Sequence, residues 1–279
     1  MIRPGKYRHY KGKEYQVLDV ATHTQTNEPM VIYRSLDGNE DLWVCPASEW
    51  NKQVKINGQV VPCFTYSPKS YSDFLSHLWH EGSEEEWNFA LAHYYTLCKD
   101  IPLDRFMEEL QPETVEKMSV SEFYHFLHDQ YFVWKYTSKN RLATTRSHLN
   151  KYLDNGQIDQ LRQIHTQIFA TDRNDTEKML TVVSQIKGLG ISGASGLLSI
   201  LFPEQFGTVD QFVILSLLKI SNLPEYDQIA KMKPESITCK NGVILEQILR
   251  QKAAELNKQF ESQNWTPRKI DMVLWAFDR

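Results

Sequence analysis

Residues 186–198 read IKGLGISGASGLL, in which Gly188, Gly190 and Gly193 follow the spacing G-x-G-x-x-G. An acidic residue, Asp210, follows twenty positions after Gly190. The same spacing occurs in the phosphate-binding turn of dinucleotide-binding folds and in turns between two helices. A dinucleotide-binding turn must follow a β-strand, so the segments on either side of the glycines decide between the two.

Both flanking segments have the periodicity of helices. Residues 174–177, NDTE, form a capping pattern that predicts a helix start, and Pro203 predicts a helix end. Between them, apolar residues recur at helical spacing on both sides of the glycines. They are Met179, Val183 and Ile186, followed by Ala194, Leu197, Leu198 and Leu201. The predicted order is helix, glycine turn, helix, which makes a nucleotide-cofactor enzyme the least favoured function.

A glycine turn between two helices can bind an anion. Gly188 and Gly190 permit positive φ, and the turn then exposes backbone N–H groups at the start of the second helix. The helix dipole favours an anion at the same place, and a DNA phosphate suits it. The alternative is a plain turn between two core helices, and periodicity alone leaves both possibilities open.

The regions around this hairpin predict a two-domain α+β protein. Residues 1–66 contain short β-type runs, EYQVLDVA, PMVIYRSL and LWVCP, and the hairpin signal Asn57-Gly58. Four to five short strands in this space predict a small β-barrel or sandwich. Residues 67–72 are a predicted linker. Residues 73–279 are predicted to be all α-helical.

Composition is that of a soluble globular protein with an uneven charge distribution. The chain has 279 residues, 41% hydrophobic and 24% charged, with a net charge of −4. Residues 131–151 and 1–13 carry cations and no acid. Two positive stretches on a mildly acidic body indicate one anion-facing side, although solvated surfaces would give the same pattern.

The sequence lacks the features of membrane-spanning, secreted and metal-binding proteins. No apolar run of about 18 residues is present, so no membrane span is expected. The N-terminal residues lack the apolar core of a secretory signal. The cysteines Cys45, Cys63, Cys98 and Cys239 are isolated, which argues against a zinc site and an iron–sulfur cluster. We therefore expect a cytoplasmic protein with reduced thiols.

The segment IKGLGISGASGLLSILFPEQFGTVDQFVI resembles the helix-hairpin-helix DNA glycosylases. That family combines a hairpin of the type L-x-G-x-G-x-x-x-A with a helix, a proline-containing loop and an aspartate that opens the next helix. The matching positions are Ile186, Gly188, Gly190, Ala194, Pro203 and Asp210. The closing segment WTPRKIDMVLWAF is also similar to the last helix of some members.

The resemblance implies an enzyme that binds double-stranded DNA, flips one nucleotide out of the helix and cleaves its N-glycosidic bond. Asp210 is then the catalytic carboxylate, which stabilises the oxocarbenium-like sugar and activates water. The structural alternative is that Asp210 is the N-cap of a helix over 211–220. The two roles do not exclude each other.

The resemblance also implies a set of DNA-contacting residues. These are Lys187, Gly188, Gly190, Ile191, Ser192 and Gly193 in the hairpin, with Lys139 and Arg141 from the basic stretch. Trp134 and Tyr136 are candidates for the base pocket, because aromatic residues among cations suit base stacking. Helical spacing with Leu127 and Tyr131 favours a core position for Trp134 instead.

Two departures from the family pattern refine the predicted activity. Bifunctional members carry a lysine two residues after the second glycine, and here that residue is Ser192. We therefore expect a monofunctional hydrolase that leaves an abasic site without lyase activity. The C-terminal region has only Cys239, so no iron–sulfur cluster and no cofactor are expected. A monovalent cation at the hairpin is the one ion this prediction leaves open.

The N-terminal segment KYRHYKGKEYQVLDVATH is similar to a small bacterial β-domain family of unknown function. The combined prediction is a monomeric base-excision enzyme that acts on a damaged or modified base, hypermodified viral bases included. It leaves DNA repair and antiviral defence both open. The alternative from another class is a catalytically inactive helix-hairpin-helix DNA-binding module.

Overall fold

A computed structural model describes residues 2, 5–36, 41–56, 59–67, 71–98 and 101–277. The chain divides into two compact units, Met1–His77 and Leu78–Arg279. The predicted linker over 67–72 ends inside a helix, Tyr71–Glu81, that continues across this division. Residues 68–70 of that linker lie outside the described residues.

The first unit is an antiparallel β domain. Five of its strands form one sheet in the order β4-β3-β2-β1-β7, and β5 pairs with β6 in a separate ribbon. The strands are β1 (Gly5–His9), β2 (Glu14–Thr22), β3 (Pro29–Ser35), β4 (Leu42–Pro46), β5 (Gln53–Ile56), β6 (Gln59–Pro62) and β7 (Phe64–Tyr66), with a short helix α1 (Ala47–Trp50) between β4 and β5.

The predicted strands EYQVLDVA, PMVIYRSL and LWVCP are confirmed as β2, β3 and β4. Of the predicted small β-barrel or sandwich, the structure confirms an antiparallel β domain. In its described strands β4 and β7 are the edges of the five-stranded sheet, and β5 and β6 form a separate pair. The hairpin signal Asn57-Gly58 lies outside the described residues, and Ile56 pairs with Gln59 on either side of it.

Aromatic side chains form the core of this small domain. Val17 and Val31 are fully buried, and Trp50 is nearly so. The Trp50 ring stacks on Phe64 with 3.8 Å between centroids, and Tyr7 meets Trp50 edge-on at 5.3 Å. These contacts explain how so few residues enclose a core, because aromatic side chains bury large areas per residue.

The regular elements of the second unit are helices joined by loops, and its described residues include no β-strand, as predicted for residues 73–279. Its helices follow α2 (Tyr71–Glu81), which begins in the first unit. They are α3 (Glu84–Leu97), α4 (Ile101–Glu109), α5 (Pro112–Glu116), α6 (Val120–His125), α7 (Phe132–Lys135), α8 (Lys139–Asp154), α9 (Ile158–Ala170), α10 (Thr176–Ser184), α11 (Ile191–Leu201), α12 (Gln211–Leu217), α13 (Tyr226–Ile229), α14 (Cys239–Gln259) and α15 (Pro267–Ala276). A π-helical segment, Phe126–Tyr131, joins α6 to α7.

Capping residues set the helix starts that matter for the site. Thr266 caps α15 by accepting from the Lys269 N–H, and Pro267 takes the first helical position, both as predicted. The helix predicted to open at 174–177 is α10, but its N-cap is Asp175, which accepts from the Lys178 N–H. A helix therefore leads into the glycine turn, and the β-strand that a dinucleotide-binding turn requires is replaced by α10.

Two glycines of the hairpin segment allow neighbouring helices to pack closely against this segment. Gly188 has φ +100°, and a Cβ there would lie 2.8 Å from the Thr145 carbonyl oxygen of α8. A Cβ on Gly196 would lie 2.8 Å from Tyr131 Oη and 3.2 Å from Lys135 Cε. The helical turn that carries Lys135 therefore packs directly on α11 because residue 196 has no side chain.

Among the described residues, none of the helices has the length and hydropathy needed to cross a membrane.

Candidate active site

The second unit contains a cavity of about 350 Å³. This volume is in the range of small-molecule sites. Its wall combines residues from helices that are distant in sequence, namely α3, α4, α7, α8, α12 and α15, with the first turn of α11. Five predicted site residues line it: Trp134, Tyr136, Arg141, Ser192 and Asp210. The structure therefore brings the hairpin, the aspartate and the aromatic residues to one cavity.

Asp210 is the N-cap of α12 and a wall residue of the cavity at once. Its Oδ1 accepts hydrogen bonds from the Phe212 N–H at 3.0 Å and the Val213 N–H at 3.4 Å. Only 8% of the residue is exposed. The predicted capping role is confirmed. Because one oxygen is used by the cap, the carboxylate is held in a fixed orientation with Oδ2 turned away from the helix end.

Lys135 is the direct partner of that second oxygen. Lys135 Nζ donates to Asp210 Oδ2 at 3.1 Å, and the two side chains are 10% and 12% exposed. Both residues line the cavity. The stem of Lys135 reaches this point across Gly196. An ion pair with so little solvent contact is weakly screened, so each charge strongly orients the other.

Three buried side chains hold the loop that leads to Asp210. The N–H of Gly207 donates to Glu246 Oε2 at 3.0 Å, that of Thr208 to Asp271 Oδ2 at 2.5 Å, and that of Val209 to Ser195 Oγ at 2.9 Å. These acceptors come from α14, α15 and α11. Consecutive amides fixed by three different helices leave the loop little freedom, so the position of Asp210 is determined by the packed core.

A buried ion pair lies beside this loop. Arg268 Nη1 contacts both carboxylate oxygens of Asp271 at 3.0 and 3.1 Å, and Arg268 Nη2 donates to Tyr94 Oη at 3.3 Å. Burial raises the pKa of the Tyr94 hydroxyl, partly offset by the Arg268 charge. Arg268 is thus a structural cation of the cavity wall, although it lies in the first turn of α15.

The two predicted base-pocket residues occupy different environments. Trp134 is half-buried, its Nε1 donates to Asp104 Oδ1 at 2.8 Å, and the Arg268 guanidinium lies 5.2 Å from its ring centre. Tyr136 is buried, and desolvation raises its pKa to about 12. The Arg141 guanidinium lies 5.5 Å from the Tyr136 ring. Trp134 therefore packs against the core and also lines the cavity.

The residues of the glycine hairpin differ in accessibility. Gly190 is exposed and caps α11 without a side chain, so the first-turn N–H groups of that helix lack a side-chain acceptor. Ile191 and Ser192 are half-buried, and Gly193 is buried. The Gly193 carbonyl accepts from Tyr131 Oη at 2.5 Å. The accessible part of the hairpin is therefore the turn at Gly190 together with Ser192.

The two predicted DNA-contacting lysines lie outside the cavity wall. Lys187 Nζ contacts Gln157 Oε1 and lies 4.4 Å from the Tyr152 ring centre, so its amine has partners within the protein. Lys139 is exposed at the start of α8, two positions before Arg141. The first turn of α8 thus carries the exposed Lys139 close in sequence to Arg141, which lines the cavity.

Neither Asp104 nor Asp271 was predicted as a site residue, and Lys135 entered the predictions only as one cation of the stretch 131–151. Lys135 and Asp210 are separated by 75 positions, and no local pattern connects them. The only available signal was the placement of Lys135 inside the acid-free stretch 131–151. Among the described residues, no group of three or more His, Cys, Asp or Glu side chains is placed to hold a metal ion.

The fold and the site define a protein with an N-terminal antiparallel β domain followed by a helical unit that contains a cavity lined by aromatic, charged and polar side chains. Residues 5–66 match the model of a family described as a protein of unknown function (DUF1653). A solved structure of a DUF1653 protein from Bordetella bronchiseptica is 33% identical, and the match covers 24% of this chain and 88% of that chain with a TM-score of 0.23. No curated protein matches the chain.

The N-terminal unit therefore carries a DUF1653 domain, which confirms the expected small β-domain family for this part of the chain. The family match ends at residue 66, before the helical unit begins.

Proposed function

We propose that the helical unit is a monofunctional DNA glycosylase of the helix-hairpin-helix type. It hydrolyses the N-glycosidic bond of a damaged or modified base in double-stranded DNA and leaves an abasic site. The observation that supports this most strongly is the placement of Asp210. Its carboxylate and the hairpin residue Ser192 bound one cavity, and Lys135 holds the carboxylate oxygen that the helix cap does not use.

The hairpin and α8 bind the DNA strand in this proposal. Phosphates lie at the exposed turn around Gly190, where the N-terminal N–H groups and the dipole of α11 favour an anion. Lys139 and Arg141 add positive charge at the start of α8, beside the cavity. Such contacts fix the position of the strand without reading its sequence. The flipped nucleotide then enters the cavity between the aromatic residues Trp134 and Tyr136.

Asp210 acts on the sugar of that nucleotide. The bond between C1′ and the base nitrogen breaks, its electron pair leaves with the base, and positive charge develops on the deoxyribose. The fixed carboxylate of Asp210 stabilises this charge without reorganisation. Water adds to C1′, Asp210 accepts its proton, and the base nitrogen is protonated as the base departs. The products are a free base and an abasic sugar with a hydroxyl at C1′.

The ion pair between Lys135 and Asp210 supports a hydrolytic reaction. A lysine that attacks C1′ needs a free electron pair on its nitrogen, and a cation paired with a carboxylate has none. The hairpin position that holds a lysine in bifunctional enzymes is Ser192 here. Lys135 therefore orients Asp210, and the abasic site is released without strand cleavage. No cofactor takes part, and a monovalent cation at the hairpin is compatible with phosphate binding.

A screen of duplex DNAs that carry damaged or modified bases tests the proposal. The full-length chain is expected to release free base from at least one substrate and to leave alkali-labile sites there. The competing function is a catalytically inactive helix-hairpin-helix module, which would retain DNA without producing such sites on any member of the panel. In the proposed role the protein is a cytoplasmic monomer that serves DNA repair or antiviral defence.

A further inference from the structure

Asp104 places a hydrogen-bond acceptor in the cavity wall that the proposed bond cleavage does not use. Asp104 lies on α4, whereas Asp210 caps α12. Trp134 Nε1 donates to Asp104 Oδ1 at 2.8 Å, so the indole fixes the carboxylate. Asp104, Trp134 and Asp210 all line the same cavity. The cavity wall therefore has a carboxylate besides Asp210 that is held by an aromatic wall residue instead of a helix end.

The carboxylate of Asp104 retains acceptor capacity toward the cavity. A carboxylate provides about four acceptor positions on its two oxygens. The indole of Trp134 uses one of them, and the Cys98 thiol is a second neighbour in hydrogen-bond contact. Since a carboxylate accepts hydrogen bonds and donates none, the remaining positions suit a ligand that presents an N–H group.

Three donors of the cavity wall, on Arg268, Lys135 and Trp134, are directed at protein acceptors. Arg268 contacts Asp271, Thr208 and Tyr94. The Lys135 amine contacts Asp210, and the Trp134 indole contacts Asp104 itself. Arg141, an exposed residue of the first turn of α8, lies against the Tyr136 ring at 5.5 Å. The wall beside Trp134 thus offers an acceptor to a bound base, whereas the donors of Arg268, Lys135 and Trp134 have partners in the protein.

We infer that Asp104 reads a hydrogen-bond donor on the extruded base, and that the substrate is a base with an exocyclic amino group. This inference rests on the proposed function, since it concerns the base that enters the cavity. A base that carries hydrogen in place of the amino group leaves the Asp104 acceptor without this donor, and a site that uses a carboxylate to accept a substrate N–H discriminates against such a base.

Paired bases that differ only in this group test the inference. The pairs are cytosine with pyrimidin-2-one, adenine with purine, and guanine with hypoxanthine. In each pair hydrogen replaces the amino group and the ring nitrogens are unchanged, and each base is placed opposite an abasic position so that base pairing does not contribute. The full-length Asp210→Asn protein is used, because binding is then measured without turnover. We expect the amino-bearing member of a pair to bind about 10- to 100-fold more tightly, the range of one hydrogen bond to a charged group.

Asp104→Asn in the same background gives the decisive comparison. Its amide oxygen can still accept from Trp134 Nε1, and its NH2 group then turns a donor toward the cavity. The preference for the amino-bearing base is expected to disappear. Glu109→Gln, an exposed acid on the same helix, is the matched control and should leave the preference unchanged.

The outcomes separate the two proposals. DNA binding without any preference within the pairs, or a preference that survives Asp104→Asn, overturns the role of Asp104 and leaves the glycosylase proposal standing. A preference that depends on Asp104, together with no base release by the unmodified protein on any substrate, overturns the catalytic proposal alone. If no duplex binds, both proposals are wrong.

Discussion

Lys135 Nζ lies 3.1 Å from Asp210 Oδ2, although the two residues are 75 positions apart and belong to different helices. Both side chains are about nine-tenths buried. The remaining oxygen, Oδ1, caps α12. The carboxylate of Asp210 therefore caps the start of α12, pairs with Lys135 and lines a cavity. The cap and the ion pair together fix its orientation toward a bound molecule.

Lys135→Gln should reduce base release while leaving the reaction hydrolytic. The substitution removes the cation and keeps a side chain of similar length, so Asp210 loses its fixed orientation. We expect a decrease in kcat/KM of about 10- to 100-fold, the range that follows from one charge-assisted hydrogen bond. Lys151→Gln, in the same basic stretch but outside the cavity wall, is the control.

Borohydride trapping checks the role assigned to Lys135 in the same reaction. The unmodified protein is expected to give no covalent adduct with substrate DNA, because the amine is paired with Asp210 and does not attack C1′. An adduct that forms with the unmodified protein and disappears in Lys135→Gln would show that Lys135 is a nucleophile. The enzyme would then be bifunctional.

Substitutions at two neighbouring glycines should differ sharply in their effect on stability. Gly188→Ala places a side chain at φ +100° and 2.8 Å from the Thr145 carbonyl oxygen. Its expected cost in the free energy of unfolding is about 1–3 kcal/mol. A Cβ at Gly190 meets no atom within 4 Å, so Gly190→Ala should cost only about a few tenths of a kcal/mol. Denaturant unfolding of both variants measures this, and equal costs would contradict the positive φ and the close approach to α8 at Gly188.

Glu246→Gln should change how stability depends on pH. Burial raises the pKa of Glu246 well above its ordinary value of 4.5, so the folded protein keeps a proton that the unfolded chain releases. The free energy of unfolding therefore falls as pH rises from 4.5 toward the folded-state pKa. Glutamine carries no such proton and still offers an acceptor to the Gly207 N–H.

Thermal unfolding at two pH values measures the effect of Glu246→Gln. The Tm difference, variant minus unmodified protein, should be larger at about pH 8 than at about pH 4. Only the unmodified protein loses the stability that comes from the Glu246 proton over that interval. A Tm difference that does not change with pH, or that changes in the opposite direction, would mean that Glu246 is ionised in the folded state.

The Cys98 thiol should react slowly with alkylating reagents below strongly alkaline pH. Burial, and then the charge of Asp104, raises its pKa from 9 to about 11. Because the thiolate is the reacting form, the alkylation rate of Cys98 should have its midpoint near pH 11. Asp104→Asn should lower that midpoint. Site-resolved mass spectrometry gives the rate for each cysteine, and a midpoint at 9 for Cys98 would place the thiol away from Asp104.

The sequence predicted the features of the site that depend on local chain geometry. The helices on both sides of the glycines follow from apolar periodicity, and the cap at Asp210 follows from the preference of aspartate for helix starts. The three β-type runs of the N-terminal domain became strands for the same reason. Alternation and turn residues act over a few positions, so they can be read directly.

Features that depend on contacts between distant segments could not be predicted in this way. The partner of Lys135 is set by the packing of its helix on Gly196, and a pattern in residues 131–151 carries no information about residue 210. Sheet closure depends on whether the first and last strands of the order meet, and β4 and β7 do not pair in the described strands. Arg268 is buried because Asp271 and Tyr94 surround it, which a helix-start position alone does not reveal.

The rate of base release by Asp210→Asn tests the central claim most directly. Asparagine is as good an N-cap as aspartate, so the variant keeps the cap of α12, whereas Lys135 loses its ion-pair partner. Thermal unfolding and DNA binding of the variant are therefore measured beside the rate, so that loss of base release is compared in folded, DNA-bound protein. The variant lacks the carboxylate charge, and release of the base should fall by about 100-fold or more. If Asp210→Asn releases base as fast as the unmodified protein from the same duplex, Asp210 is not the catalytic residue and the account is wrong.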